Sequence, residues 1–184
     1  MAPHHLAQRL EQHDALGRAV LAQQPPILVA ALRPGMLRLA GRLGDGAILN
    51  WLSAEDVKQV APIVHEGGAD KEIVARLFVI PSSDKDKARA IARRGIAAYL
   101  NVPVYAAFPE WRGRSEAVAG MWAHWKGGDR KAALEAIPDE VVDALIIHGS
   151  PDECREHVER YREAGVTTPA LAILYADDLR EAVR

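Results

Sequence analysis

The sequence predicts an α/β fold in which helices cover a parallel sheet. Three observations carry that expectation. Apolar runs alternate with segments of helical period along the chain. Each run is near-continuous rather than alternately apolar and polar, as strands buried on both faces are. The stretch 25–50, PPILVAALRPGMLRLAGRLGDGAILN, reads as strand, helix and strand, whose natural form is a right-handed parallel crossover.

Taken in order, residues 3–24 read as an amphipathic helix. Leu6, Leu10, Leu16 and Leu21 lie along one side, and Pro25-Pro26 ends it. Residues 27–32 are the first strand. Pro34 and Gly35 open a helix with Met36, Leu37, Ala40 and Leu43 on one face. Asp45-Gly46 stops it, and residues 47–51 form the second strand. Ser53, with Asp56 three residues on, caps a helix carrying Val57, Val60, Ala61 and Val64. Residues 73–80, IVARLFVI, are the third strand, ended by Pro81. Ser82-Ser83-Asp84 then caps a Lys-, Arg- and Ala-rich helix running to about Leu100.

From 101 to 143 the pattern changes. Prolines and aromatics come first, then helical pieces at 116–125, 130–136 and 139–145, so this stretch reads as a helical insertion. Residues 145–148 are short and extended. Ser150, Pro151 and Glu153 start another helix, stopped by Gly165. Residues 169–175, PALAILY, are the fourth clear strand.

The composition narrows the function. At 184 residues the chain is long enough for a sizeable core. A formal charge of −2 argues against a nucleic-acid surface, which needs a strong basic excess. The single cysteine, Cys154, excludes an internal disulfide framework and suits a reducing cytoplasm. Apolar runs such as 27–32 fall far short of the roughly 20 residues that span a bilayer. The amino terminus lacks the pattern of a signal peptide.

The foremost site candidate is the turn from Ala30 to Met36. There a strand runs straight into a helix with a glycine in its first turn. Free amides and the positive helix end make a place for an anion such as a phosphate, and Arg33 offers a charge-assisted contact. The plainer alternative is an ordinary tight turn, and the residues match neither a GxGxxG nor a P-loop. Asn50 and Trp51 end the second strand, at the edge that faces ligand in parallel α/β folds. Asn50 can hydrogen-bond a cofactor and Trp51 can stack on it, or both can be structural. The aromatics Tyr99, Tyr105, Phe108, Trp111, Trp122 and Trp125 wall a pocket or form the core of the insertion. His148 is a proton donor or a structural strand-end histidine. His4, His5 and His13 lack carboxylate or cysteine partners at metal-ligand spacing. Cys154 has no histidine at catalytic spacing, and no catalytic set emerges.

Three segments together, PPILVAALRPGMLRLAGRLGDGAILNWLSAEDV, YLNVPVYAAFPEW and HGSPDECREHVERYREAGVTTPALAIL, resemble the carboxyl-terminal half of the luciferase-like monooxygenase family. They are most like the actinobacterial-type members that use the deazaflavin coenzyme F-420. The resemblance spans about residues 25–175. It implies a partial (β/α) barrel of TIM type, with 27–32, 47–51, 73–80 and 169–175 as parallel strands five to eight and the insertion after strand seven. Residues 1–24 are an amino-terminal extension outside it, and 25–184 the partial barrel. The family's loop after strand five helps hold the phosphate-bearing tail of the cofactor. That role carries over to Ala31, Leu32, Arg33, Gly35 and Met36, and Asn50 joins them as a cofactor-binding candidate. Many relatives have Gly-Pro where this chain has Arg33-Pro34, which changes the contacts expected there.

The implied function is hydride transfer through F-420, or through FMN as the alternative, to a small-molecule substrate in the cytoplasm. A barrel of this kind takes about 250 residues, and the chain begins just before the expected strand five. Strands one to four, the source of most isoalloxazine-side contacts and catalytic groups, are absent, so no catalytic residue is assigned. The expectation is a truncated oxidoreductase, a non-catalytic half-barrel that binds flavin or dimerises, or an inactive fragment. Its first and last strands would leave open edges, covered by a second subunit in a homodimer, by a complementing half-barrel, or by the helix of 1–24.

Overall fold

In the computed structural model the structure describes residues 25–102 and 115–182. The expected helix of 3–24, with its three histidines, and Tyr105, Phe108 and Trp111 lie outside the described residues. Five strands form one sheet: β1 (Leu28–Ala30), β2 (Gly46–Asn50), β3 (Glu72–Pro81), β4 (Ile146–Gly149) and β5 (Thr168–Ile173). Every pairing is parallel. Among the described residues eight helices connect or follow them: α1 (Pro34–Leu43), α2 (Ala54–His65), α3 (Lys85–Leu100), α4 (Ser115–Lys126), α5 (Arg130–Glu135), α6 (Asp139–Leu145), α7 (Pro151–Glu163) and α8 (Leu179–Ala182). The three helical pieces of the insertion are α4, α5 and α6.

β3 is the hub. β5 runs along one edge from Val74 to Val79. β2 takes the other edge as far as Arg76, and β4 takes it from Phe78 to Pro81. The exchange happens because β2 stops at Asn50 and Trp51 follows with a left-handed backbone, φ 57°. That turn releases the edge. The piece at 145–148, expected only to be extended, is thus a fifth strand, shifted by one residue because α6 runs on to Leu145. β1 is shorter than the expected 27–32, yet its pairing persists into the turn, where Ala31 N–H donates to Ile48 O at 3.1 Å.

The two faces of the sheet bury separate cores. Odd-numbered residues of β3 (Ile73, Ala75, Leu77, Val79) pack with α1, α2 and α7. Even-numbered Phe78 and Ile80 pack with Trp51, α3 and the insertion helices. Period-two alternation puts successive side chains on opposite faces, and each face is apolar where helices cover it. The N-terminal half of the second face stays open: Ala30, Ile48, Arg76 and Ala170 are exposed.

Local signals explain the helix starts. In α2, Ser53 Oγ accepts from Asp56 N–H, and Asp56 accepts from Ser53 N–H at 3.0 Å. Ser150 and Glu153 form the same reciprocal box on α7. Asp84 caps α3 through Lys87 N–H at 3.0 Å. Gly165, φ 113°, stops the chain after α7 in a backbone region that favours glycine.

Candidate cofactor-binding site

The βα turn after β1 differs from the starts of α2, α3 and α7, which have side-chain caps. Arg33 is the N-cap of α1, extended at φ −126° and ψ 158°, and no side chain caps the helix. Pro34 occupies the first turn, which also lacks an acidic residue. The amides of Gly35 and Met36 have no intrahelical acceptor by helix geometry. Both residues are exposed at the positive end of the α1 dipole. A Cβ added at Gly35 would meet nothing within 4 Å. The Arg33 side chain is exposed and has neither hydrogen bond nor ion pair among the described residues.

The sequence candidates gather at this end of the sheet. Ala31 is buried and fixes the turn on β2, while Leu32 is half-buried against the α1 core. Met36 is exposed. Since Ala30 is level with Ile48, Asn50 stands level with the turn, two residues further along β2. Its side chain is on the face opposite the buried Ala47 and Leu49. These candidates therefore share the carboxyl edge of a parallel sheet, where such folds bind ligands.

Other candidates resolve as structure. Trp51 is 2% exposed, stacked on Phe78 at 4.3 Å and tilted against Tyr99 at 4.9 Å. It belongs to the core. Trp122 donates to Leu100 O at 3.1 Å, and the Arg130 guanidinium sits 3.8 Å over the Trp125 ring. Both tie the insertion together. His148 Nε2 lies 2.7 Å from Asp143 Oδ1, and Arg89 grips the same carboxylate at 2.8 and 3.2 Å. Arg93 reaches Asp139, at the start of α6. Burial pushes Asp143 up, but the bonds from Arg89 and His148 outweigh it and hold the group below the usual carboxylate range. His148 thus clamps β4 to α6 and α3. Cys154 is buried, and desolvation pushes its thiol up to about 11, so it is not a nucleophile. Among the described residues no cluster could hold a metal ion.

The sequence reading missed Arg76. It pairs in register with Asn50 and stays exposed on the second face. Its guanidinium lies 4.6 Å over the Phe78 ring and donates to Tyr99 Oη at 3.4 Å. The signal was present: it is the one charge inside the apolar run IVARLFVI.

An α/β sheet of parallel strands in barrel order, with an uncapped helix end at its carboxyl edge, defines a partial (β/α) barrel with an anion-ready turn. The chain belongs to the luciferase-like monooxygenase family, whose model matches residues 3–168. The match takes in the segment before β1 that the resemblance left out. The 5,10-methylenetetrahydromethanopterin reductase of Methanopyrus kandleri is 26% identical over 177 residues, covering 92% of this chain and 51% of the relative. That of Methanolobus tindarius is 31% identical over 157 residues, covering 81% and 48%. The solved coenzyme F420-dependent tetrahydromethanopterin reductase of Methanopyrus kandleri superposes with a TM-score of 0.71 at 22% identity, covering 91% of this chain and 50% of that one. An F420-dependent secondary alcohol dehydrogenase gives 0.65 at 16%, covering 91% and 48%. The chain spans about half the length of the curated relatives it matches. No helix among the described residues is long and apolar enough to cross a membrane.

Proposed function

We propose that this chain is the cofactor-tail half of a cytoplasmic deazaflavin-dependent oxidoreductase that acts on a small molecule. The observation that carries the reading is the uncapped α1 start beside the exposed Arg33. The donor set there is two amides, a helix dipole and one guanidinium, with no carboxylate in the first turn, and it suits a phosphate-bearing tail. Coenzyme F-420 is favoured because solved proteins of the same fold depend on it. FMN presents a phosphate that the same donors would accept. When bound, the cofactor supplies the hydride chemistry. The residues of this chain hold its tail, and the Asn50 side chain orients it at the sheet edge.

Fluorescence titration with F-420 and with FMN tests this. The intact chain is expected to bind F-420, and Arg33→Ala to weaken it roughly ten- to a hundredfold, the loss of one charge-assisted contact. Failure of the intact chain to bind either cofactor would sink the reading. A second reading is a half-barrel that binds flavin without turnover. Binding without hydride transfer to any acceptor separates it from the first.

A further inference from the structure

We infer that two copies of this chain close one eight-stranded barrel about a two-fold axis parallel to its strands. The inference rests on the fold and not on the cofactor reading. The path β1-β2-β3-β5 supplies four strands, all parallel, half of the eight that close a (β/α) barrel. Among the described residues β1 pairs only with β2, and β5 only with β3. Within those residues both outer edges present backbone donors and acceptors with no strand beside them. A two-fold axis along the barrel lays β5 of one copy beside β1 of the other, in the same direction, at two identical seams. An axis across the strands would make those pairs antiparallel.

The side chains at the edges agree. Ile27 and Leu43 on the β1 side are 64% and 78% exposed, and Leu171 on β5 is 52% exposed. Leu171 opens onto a groove of about 210 Å³ between β5 and α7, walled by Val79, Val158 and Ile173. The flanking helices are complementary in charge. α1 has Arg38 and Arg42, with Arg33 at its N-cap, and no acid. α7 has five carboxylates against three guanidiniums. Each seam brings an α1 and an α7 to its two sides, basic against acidic. Closure also covers the open face at Ala30, Ile48 and Ala170. The Arg33 turn lies at the β1 edge, so the partner's β5 walls the site, which is incomplete in one copy.

Light scattering across a concentration series tests this without any cofactor, so a failed cofactor titration leaves it intact. The expected mass is twice the 20.1 kDa of the chain. Ile27→Lys and Leu171→Asp alter exposed edge residues, and far-ultraviolet circular dichroism checks that each variant stays folded. Each alone damages both seams and is expected to give the single-chain mass. Mixing the two restores the double mass, because one seam is then native and the other joins Lys to Asp. A wild-type monomer overturns the inference, as does a dimer that neither substitution dissociates. So does a chain that stays single until the amino-terminal half of a family member is added.

Discussion

Trp51 occupies a backbone region that large residues rarely visit, φ 57°. Its indole N–H is buried without a hydrogen-bond partner among the described residues. Both costs are offset by packing against Phe78 and Tyr99, since burying an aromatic side chain dominates such ledgers. Trp51→Ala is expected to destabilise the fold by about 3–5 kcal/mol, read as a lower urea midpoint. His157, stacked on Tyr161 at 5.7 Å, is a second residue with a measurable consequence. Desolvation first, then the charges of Arg160 and His148, lower it from 6.5 to about 4. A base with a folded pKa below its unfolded one is protonated first in the unfolded chain, so acid favours unfolding. Stability is expected to fall as pH drops from 6.5 towards 4. In His157→Gln the urea midpoint should vary less over that window.

At the scale of elements, the helices divide by how they begin. α2 and α7 have reciprocal caps, and α3 has Asp84. Such caps satisfy amides that would otherwise lack partners, at roughly 1 kcal/mol each. α1 alone among these four has no side-chain cap. Its open end costs stability and keeps donors available at the edge where the candidate site lies. α1 and α2 also meet without room for a side chain. A Cβ at Gly41 would lie 2.0 Å from Val64 O, and one at Gly67 equally close to Gly41 O. Because these are backbone atoms, the helices must separate to admit a methyl group. Gly41→Ala is therefore expected to destabilise by about 1–3 kcal/mol despite its better helix propensity. A Gly41→Ala variant as stable as wild type in urea would show that α1 and α2 do not approach this closely.

For the whole molecule, β3 makes two cores into one unit. Its odd residues belong to one and Phe78 and Ile80 to the other. Loss of either core removes a face of the same strand, so the two should melt together. Leu49→Ala, in the first core, and Ile96→Ala, in the second, each remove a fully buried side chain. Each is expected to cost about 2–5 kcal/mol. In both variants near- and far-ultraviolet circular dichroism should report one coincident transition. Separate midpoints would mean that the faces fold independently.

How much was legible follows from the distance over which each feature is decided. The sequence by itself determined the helix starts, because Ser53 with Asp56, Ser150 with Glu153, and Pro34 act within one turn. It determined that the sheet is parallel with helices on both faces, because continuous apolar runs mark strands buried on both sides; that the N-terminal half of one face stays open was not legible there. It placed the Arg33 turn between a strand and a helix for the same local reason. Only the tertiary structure decided which strands share β3. Parallel partners are joined by long crossovers, and their register is set by burial far along the chain. That is why β4 emerges as a strand only when β2 turns away at Trp51 and frees an edge. Trp51 and His148 look like site residues in a linear reading and become core and clamp once Phe78 and Asp143 are brought to them. Arg76, one letter in an apolar run, acquires its place beside Asn50 through cross-strand register alone.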